Sequence, residues 1–194
     1  MMEDQGLVRD NLSYFTEYEI AYGRAQMEAG ADGLWLGDCV ASSRFISLPC
    51  FAEFAIPSAA KVGSELVKGE KFIIYHTCET SISYLRLQAQ LPVSAVNVGE
   101  GVSMAKVRNE LGINKCLTGN LDPKLVRDGT AGEVAKATEE LIRENLPDGG
   151  YIFCTGEDIM QTTPPANLAA MLKTARTIAS EVLSGISGNK SPGQ

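Results

Sequence analysis

The chain has 194 residues, 44% hydrophobic and 21% charged, a composition that fits one folded globular domain and excludes a disordered polymer. Its 17 Lys and Arg against 24 Asp and Glu leave a formal charge of −7 with no basic cluster, which argues against nucleic acid or an anionic membrane as partner. No apolar run approaches the ~20 residues of a membrane span, and the polar, acidic start from Met1 to Asp10 is unlike a signal peptide, so a cytoplasmic location is expected.

Leu7 to Ala29 read as an aromatic-rich helix, with Tyr14, Phe15, Tyr18 and Tyr22, that stops at Gly30. Short apolar runs then predict strands near 33–38, 71–76, 93–98, 115–119 and 151–155. Met104, Val107 and Leu111 fall at helical spacing, and Gly112 supplies a stop. Thr130 and Glu133 form a capping box before a stripe of Val134, Ala137, Thr138, Leu141 and Ile142. Thr163 reads as the cap of a last helix, with Pro164 at its first position and Leu168, Met171, Leu172 and Ala175 on its buried face. The Gly- and Ser-rich stretch from Ser184 reads as a disordered tail, which leaves residues 1–183 as a single domain and 184–194 outside it.

Continuously apolar strands alternating with helices predict an α/β fold with a parallel sheet covered on both faces. Five units are too few for a complete eight-stranded barrel of ~250 residues. An open doubly wound sheet and an incomplete barrel of the TIM type both fit the spacing. A barrel segment requires consecutive right-handed units, and therefore a strand order that follows the chain.

In parallel α/β folds chemistry gathers at the C-terminal ends of strands. Those positions hold Asp38-Cys39, His76-Thr-Cys78-Glu79, Gly99-Glu-Gly101, Gly119-Asn120-Leu-Asp122-Pro123 and Gly156-Glu157-Asp158. His76-x-Cys78 is the sharpest of them. On extended backbone, residues two apart face the same side, as two ligands of one metal must, and an imidazole with a thiolate suits Zn²⁺. The other reading of the pair is a hydrogen-bonded strand-end histidine beside a buried cysteine. Gly99-Glu-Gly101 lacks the third glycine of a dinucleotide loop and reads as a tight turn. Gly119–Pro123 reads as a turn, and Gly156-Glu-Asp158 as a solvated loop. The five cysteines, Cys39, Cys50, Cys78, Cys116 and Cys154, are odd in number and irregular in spacing, which does not describe a disulfide framework.

Gly30-Ala-Asp-Gly33 leading to Asp38, the HxC at His76 and Cys78, GNLDP at Gly119–Pro123, and a glycine loop followed by Thr163-Pro164 and Asn167 occur in an order that resembles the C-terminal part of the uroporphyrinogen decarboxylase superfamily. GNLDP is shared across that superfamily. HxC is similar to its methyltransferase branch, the zinc-dependent methylcobamide:thiol (coenzyme M type) methyltransferases and related corrinoid demethylation enzymes. The resemblance runs from about Tyr14 to Ala179 and corresponds to the last five units of a complete (β/α)₈ barrel.

The resemblance implies zinc held by His76, Cys78 and a third ligand, with a corrinoid (methylcobamide) presented by a separate corrinoid protein and a small-molecule methyl donor or acceptor. The family's third ligand is a cysteine one residue after a glycine in the last loop. That position holds Glu157, with Cys154 as the substitute, and Glu79 stands where the family has a glycine after HxC. Asp38 and Asn120 are the catalytic candidates, Asp38 being also a possible further ligand. The alternatives are a uroporphyrinogen decarboxylase-like lyase, or a non-catalytic split-barrel subunit. A homo-oligomer or a complementing N-terminal chain is expected, because an incomplete barrel leaves open strand edges.

Overall fold

The five apolar runs form five parallel strands in a computed structural model that describes residues 3–67, 71–112 and 115–188. They are β1 (Gly33–Gly37), β2 (Phe72–His76), β3 (Ala95–Asn97), β4 (Cys116–Leu121) and β5 (Tyr151–Thr155), and their order in the sheet is their order in the chain. That order belongs to consecutive β/α units of an incomplete TIM-type barrel, and a doubly wound sheet would have broken it. By its internal contacts the chain divides into two compact units, residues 1–97 and 98–194.

The first unit opens with α1 (Gln5–Glu28), which begins two residues earlier than its hydrophobic pattern because the Asp4 carboxylate accepts from Leu7 N. Past its end Gly30 adopts φ 106°, a conformation that side-chain-bearing residues avoid. Helix α1 buries Thr16, Ile20 and Gly23, while Tyr14, Phe15, Tyr18 and Tyr22 are all exposed. A Cβ on Gly23 would lie 2.6 Å from Leu66 Cδ1, so glycine permits this close approach.

After β1 the chain forms α2 (Leu48–Cys50), a π-helical turn at Phe51–Ala55, and α3 (Ile56–Leu66). The widened turn precedes Pro57, which lies in the first turn of α3, where proline is tolerated because its missing N–H has no intrahelical partner to lose. Phe51, Ala55 and Ala41 pack with Tyr84 of α4 (Ile82–Gln88). Strands β1 and β2 pair from Gly33 opposite Phe72 to Gly37 opposite His76, and β2 pairs with β3 through Ile74–Ala95 and Tyr75–Val96.

In the second unit α5 (Met104–Leu111) is capped by Ser103 and closed by Gly112 at φ 78°. Strand β4 leads into α6 (Pro123–Asp128), a short helix where the sequence pattern predicted only a turn; the Asp122 carboxylate caps it by accepting from Lys124 N. Helix α7 (Ala131–Asn145) starts at the Thr130–Glu133 capping box and buries Val134, Thr138 and Ile142. Strands β4 and β5 pair from Leu117–Tyr151 to Leu121–Thr155, and Leu121, Val126, Val134 and Met171 form the core beneath them.

Helix α8 (Pro165–Gly188) departs from expectation in three ways. It begins one residue late, at Pro165 rather than Pro164, and Leu172 of its predicted buried face is exposed. Residues 184–188 are helical rather than disordered, because Ile178, Val182 and Ile186 continue the apolar spacing. The rest of the predicted tail, 189–194, lies outside the described residues.

Candidate metal centre

Parallel pairing sets Gly37 beside His76, so β1 and β2 end level with each other. Asp38 N extends the ladder by donating to His76 O at 2.8 Å. Two residues beyond each strand end stand Cys39 and Cys78, whose sulfurs lie 4.0 Å apart. Cys78 Sγ is 3.1 Å from His76 Nε2, and the donor atoms of Cys39, His76 and Cys78 all lie within 4.8 Å of one another. His76 and Cys78 are buried, whereas Cys39 is exposed.

Sequence reasoning joined His76 to Cys78 by an extended backbone. The structure joins them differently, since β2 stops at His76 and Cys78 takes φ 55°, the left-handed region. Cys78 N donates to Asn97 Oδ1 at 3.0 Å, which anchors this conformation to the end of β3. The Trp35 ring lies 4.4 Å from that of His76 and restricts the imidazole.

Glu79, the departure from the family's glycine, is fully buried. Its carboxylate accepts from Ser43 N (2.7 Å), Ser43 Oγ (2.7 Å), Thr80 N (2.8 Å) and Ser81 N (2.7 Å). It therefore ties the loop after β1 to the loop after β2. Ser42 Oγ donates to Cys39 O at 3.0 Å within the same loop. Asp38 Oδ2 accepts from the Tyr75 hydroxyl at 2.9 Å. Burial raises the Asp38 carboxyl above its usual range against the lowering effect of that bond. Burial, and then the facing carboxylate, pushes the Tyr75 hydroxyl up, so it stays a donor.

The other named residues belong to the second unit. Asn120 donates to Gly99 O (2.9 Å) and Val102 O (2.8 Å), which fixes the loop before α5. Gly119 beside it has φ 133°, and a Cβ there would lie 2.5 Å from Val98 O. Each part of GNLDP thus has a local task, with Leu121 in the core and Asp122 and Pro123 opening α6. Glu157 is half-buried and follows Gly156, where a Cβ would lie 2.3 Å from Glu100 N. Burial pushes the Cys154 thiol up, against a lowering hydrogen bond with Thr118.

The donor set brought together in the first unit suits zinc chemically. Two thiols and an imidazole are the soft, borderline ligands it takes, and three protein ligands are the number that leaves a fourth position for substrate. Cys39 is the residue that sequence reasoning missed. Its signal was positional: it stands as far beyond β1 as Cys78 stands beyond β2.

The family profile described as uroporphyrinogen decarboxylase (URO-D) matches residues 1–178. The chain belongs to the uroporphyrinogen decarboxylase family. Within this family it is 28% identical over 166 residues to the methylcobamide:CoM methyltransferase MtbA of Methanosarcina mazei, covering 85% of this chain and 48% of that protein. It is 31% identical over 175 residues to the uroporphyrinogen decarboxylase of Granulibacter bethesdensis, covering 86% and 48%. A solved methyltransferase from Methanosarcina mazei superposes with a TM-score of 0.74 at 24% identity, over 84% of this chain and 47% of that one, which shows the shared fold. The chain spans about half the length of the curated relatives it matches. As a member of the uroporphyrinogen decarboxylase family it has both methyltransferases and decarboxylases among its relatives. No helix among the described residues is long and apolar enough to cross a membrane.

Proposed function

We propose that this chain carries the metal-binding part of a zinc-dependent methyltransferase, which moves a methyl group between a corrinoid protein and a thiol or another small acceptor or donor in the cytoplasm. One observation carries this reading: His76 Nε2 and Cys78 Sγ meet at 3.1 Å at the end of β2. A decarboxylation does not call for a soft imidazole–thiol pair, whereas methyl transfer to or from sulfur does. The name of the MtbA relative points the same way.

When bound, zinc would lower the pKa of a thiol in its open position from ~8.5, making thiolate available at neutral pH. The chain's own residues do the rest. His76 offers Nε2 while Trp35 limits its rotation, and Cys78 offers its sulfur from a backbone held by Asn97. Asp38, next to the donors, is the carboxylate proposed to work with substrate. Asn120 acts by holding the loop at Gly99 and Val102. The test is zinc analysis of the folded chain purified without chelator, followed by incubation with methylcobalamin and a small thiol. Stoichiometric zinc and demethylation of the cobalamin are expected, and background zinc in the folded protein overturns the reading.

Association is expected as well. Tyr14, Phe15, Tyr18 and Tyr22 of α1 are exposed, as are Trp35 of β1 and Phe72 of β2, and such apolar surface seeks a partner. Light scattering at high concentration should report a homo-oligomer, or a complex with a complementing chain when one is supplied. A monodisperse monomer in both conditions counts against it.

A further inference from the structure

We infer that Cys39 is the third protein ligand of this metal site, in the place expected for Glu157, so that the donor set is Cys₂His and lies entirely on the loops after β1 and β2. The inference rests on the zinc reading above and deepens it.

The register supplies the reason. With Gly37 opposite His76, and Asp38 N bonded to His76 O at 2.8 Å, the two chains leave the sheet together. Their next residues but one are both cysteines. Zinc with Zn–S of ≈ 2.3 Å and Zn–N of ≈ 2.0–2.1 Å, in tetrahedral geometry, separates two sulfurs by about 3.8 Å and a sulfur from a nitrogen by about 3.6 Å. The observed separations are 4.0 Å for Cys39 Sγ–Cys78 Sγ and 3.1 Å for Cys78 Sγ–His76 Nε2, each within about 0.5 Å of those edges. The third separation is held below 4.8 Å. Small side-chain rotations close such differences.

The loop that presents Cys39 is braced rather than loose. Ser42 Oγ donates to the Cys39 carbonyl, Ala41 N to the Asp38 carbonyl, and Glu79 fixes Ser43 through both its amide and its hydroxyl. Cys39 is the exposed member of the trio, so its sulfur stands on the solvent side of the site. Every donor needed for a three-ligand site thus comes from residues 39–78.

Cobalt(II) in place of zinc reads this directly, because thiolate-to-cobalt charge transfer in the near ultraviolet grows with the number of sulfur ligands. The whole chain is titrated to saturation with cobalt(II), as wild type and as Cys39→Ser, Cys78→Ser, His76→Ala and Glu157→Gln, with thermal melts to establish that each is folded. For folded Cys39→Ser, either a halved charge-transfer intensity per bound cobalt or loss of the cobalt is expected. Glu157→Gln should match wild type in both intensity and affinity. Full intensity per cobalt in Cys39→Ser, or weakened binding in Glu157→Gln with Cys39→Ser unaffected, overturns the inference and leaves the zinc reading standing. A two-sulfur signal in a chain that transfers no methyl group overturns the methyltransferase reading and leaves Cys39 a ligand. A folded wild-type chain that binds neither metal overturns both.

Discussion

His76→Ala and Cys78→Ser are each expected to bring the zinc content of the purified chain to background. The two donors meet at 3.1 Å, and each supplies one ligand to a site with few others. Partners that merely orient a ligand already cost about 10–100-fold in metal affinity when removed, so a lost ligand should cost at least about 100-fold. Folding should survive, since serine is close to isosteric with cysteine and His76 ends its strand. Cys116→Ala is the control. Cys116 opens β4 and its thiol is pushed up by burial, so it should bear no metal and its loss should leave zinc unchanged. Metal analysis checks all three variants, and stoichiometric zinc retained by Cys78→Ser would remove the site.

Glu79→Ala is expected to lower stability by roughly 3–5 kcal/mol, because a buried acceptor that holds four donors is deleted and each donor left unpaired costs about 1–3 kcal/mol at most. At ~2–4 °C per kcal/mol for a chain of this size, the melting temperature should fall by roughly 6–20 °C. Three backbone amides, those of Ser43, Thr80 and Ser81, lose their acceptor. Glu79→Gln keeps the shape and one acceptor oxygen, and should lose about half as much. Since the same bonds position the loop that carries Cys39, zinc affinity should fall in both variants. A melt within about 2 °C of wild type for Glu79→Ala would show that water replaces these bonds.

The strands were legible because short apolar runs, such as Leu34–Leu36, Phe72–Tyr75 and Tyr151–Cys154, alternate with helical patterns. The capping box at Thr130 and Glu133 was legible for a local reason: two residues three positions apart specify it. What escaped was non-local. Nothing in a one-dimensional pattern sets Gly37 opposite His76, and without that register Cys39 is only a cysteine after an aspartate. Glu79 is in sequence only a departure from the family's glycine, and its task shows when four donors from two loops converge on it. His76 and Cys78 were paired through their spacing, yet they meet through a left-handed backbone at Cys78 that spacing does not reveal. The turn predicted at Gly119–Pro123 is instead the end of β4, through Leu121, and the start of α6, which Asp122 caps by accepting from Lys124 N.

The contact between Trp35 and His76 has an optical meaning. Trp35 is the single tryptophan of the chain, and its ring centroid stands 4.4 Å from that of His76. Indole emission from the whole protein therefore originates beside one imidazole, at a distance where the electronic state of that imidazole governs quenching. The chain carries its own reporter: any event that changes the charge or the lone pair of His76 is written into its fluorescence, with no label attached.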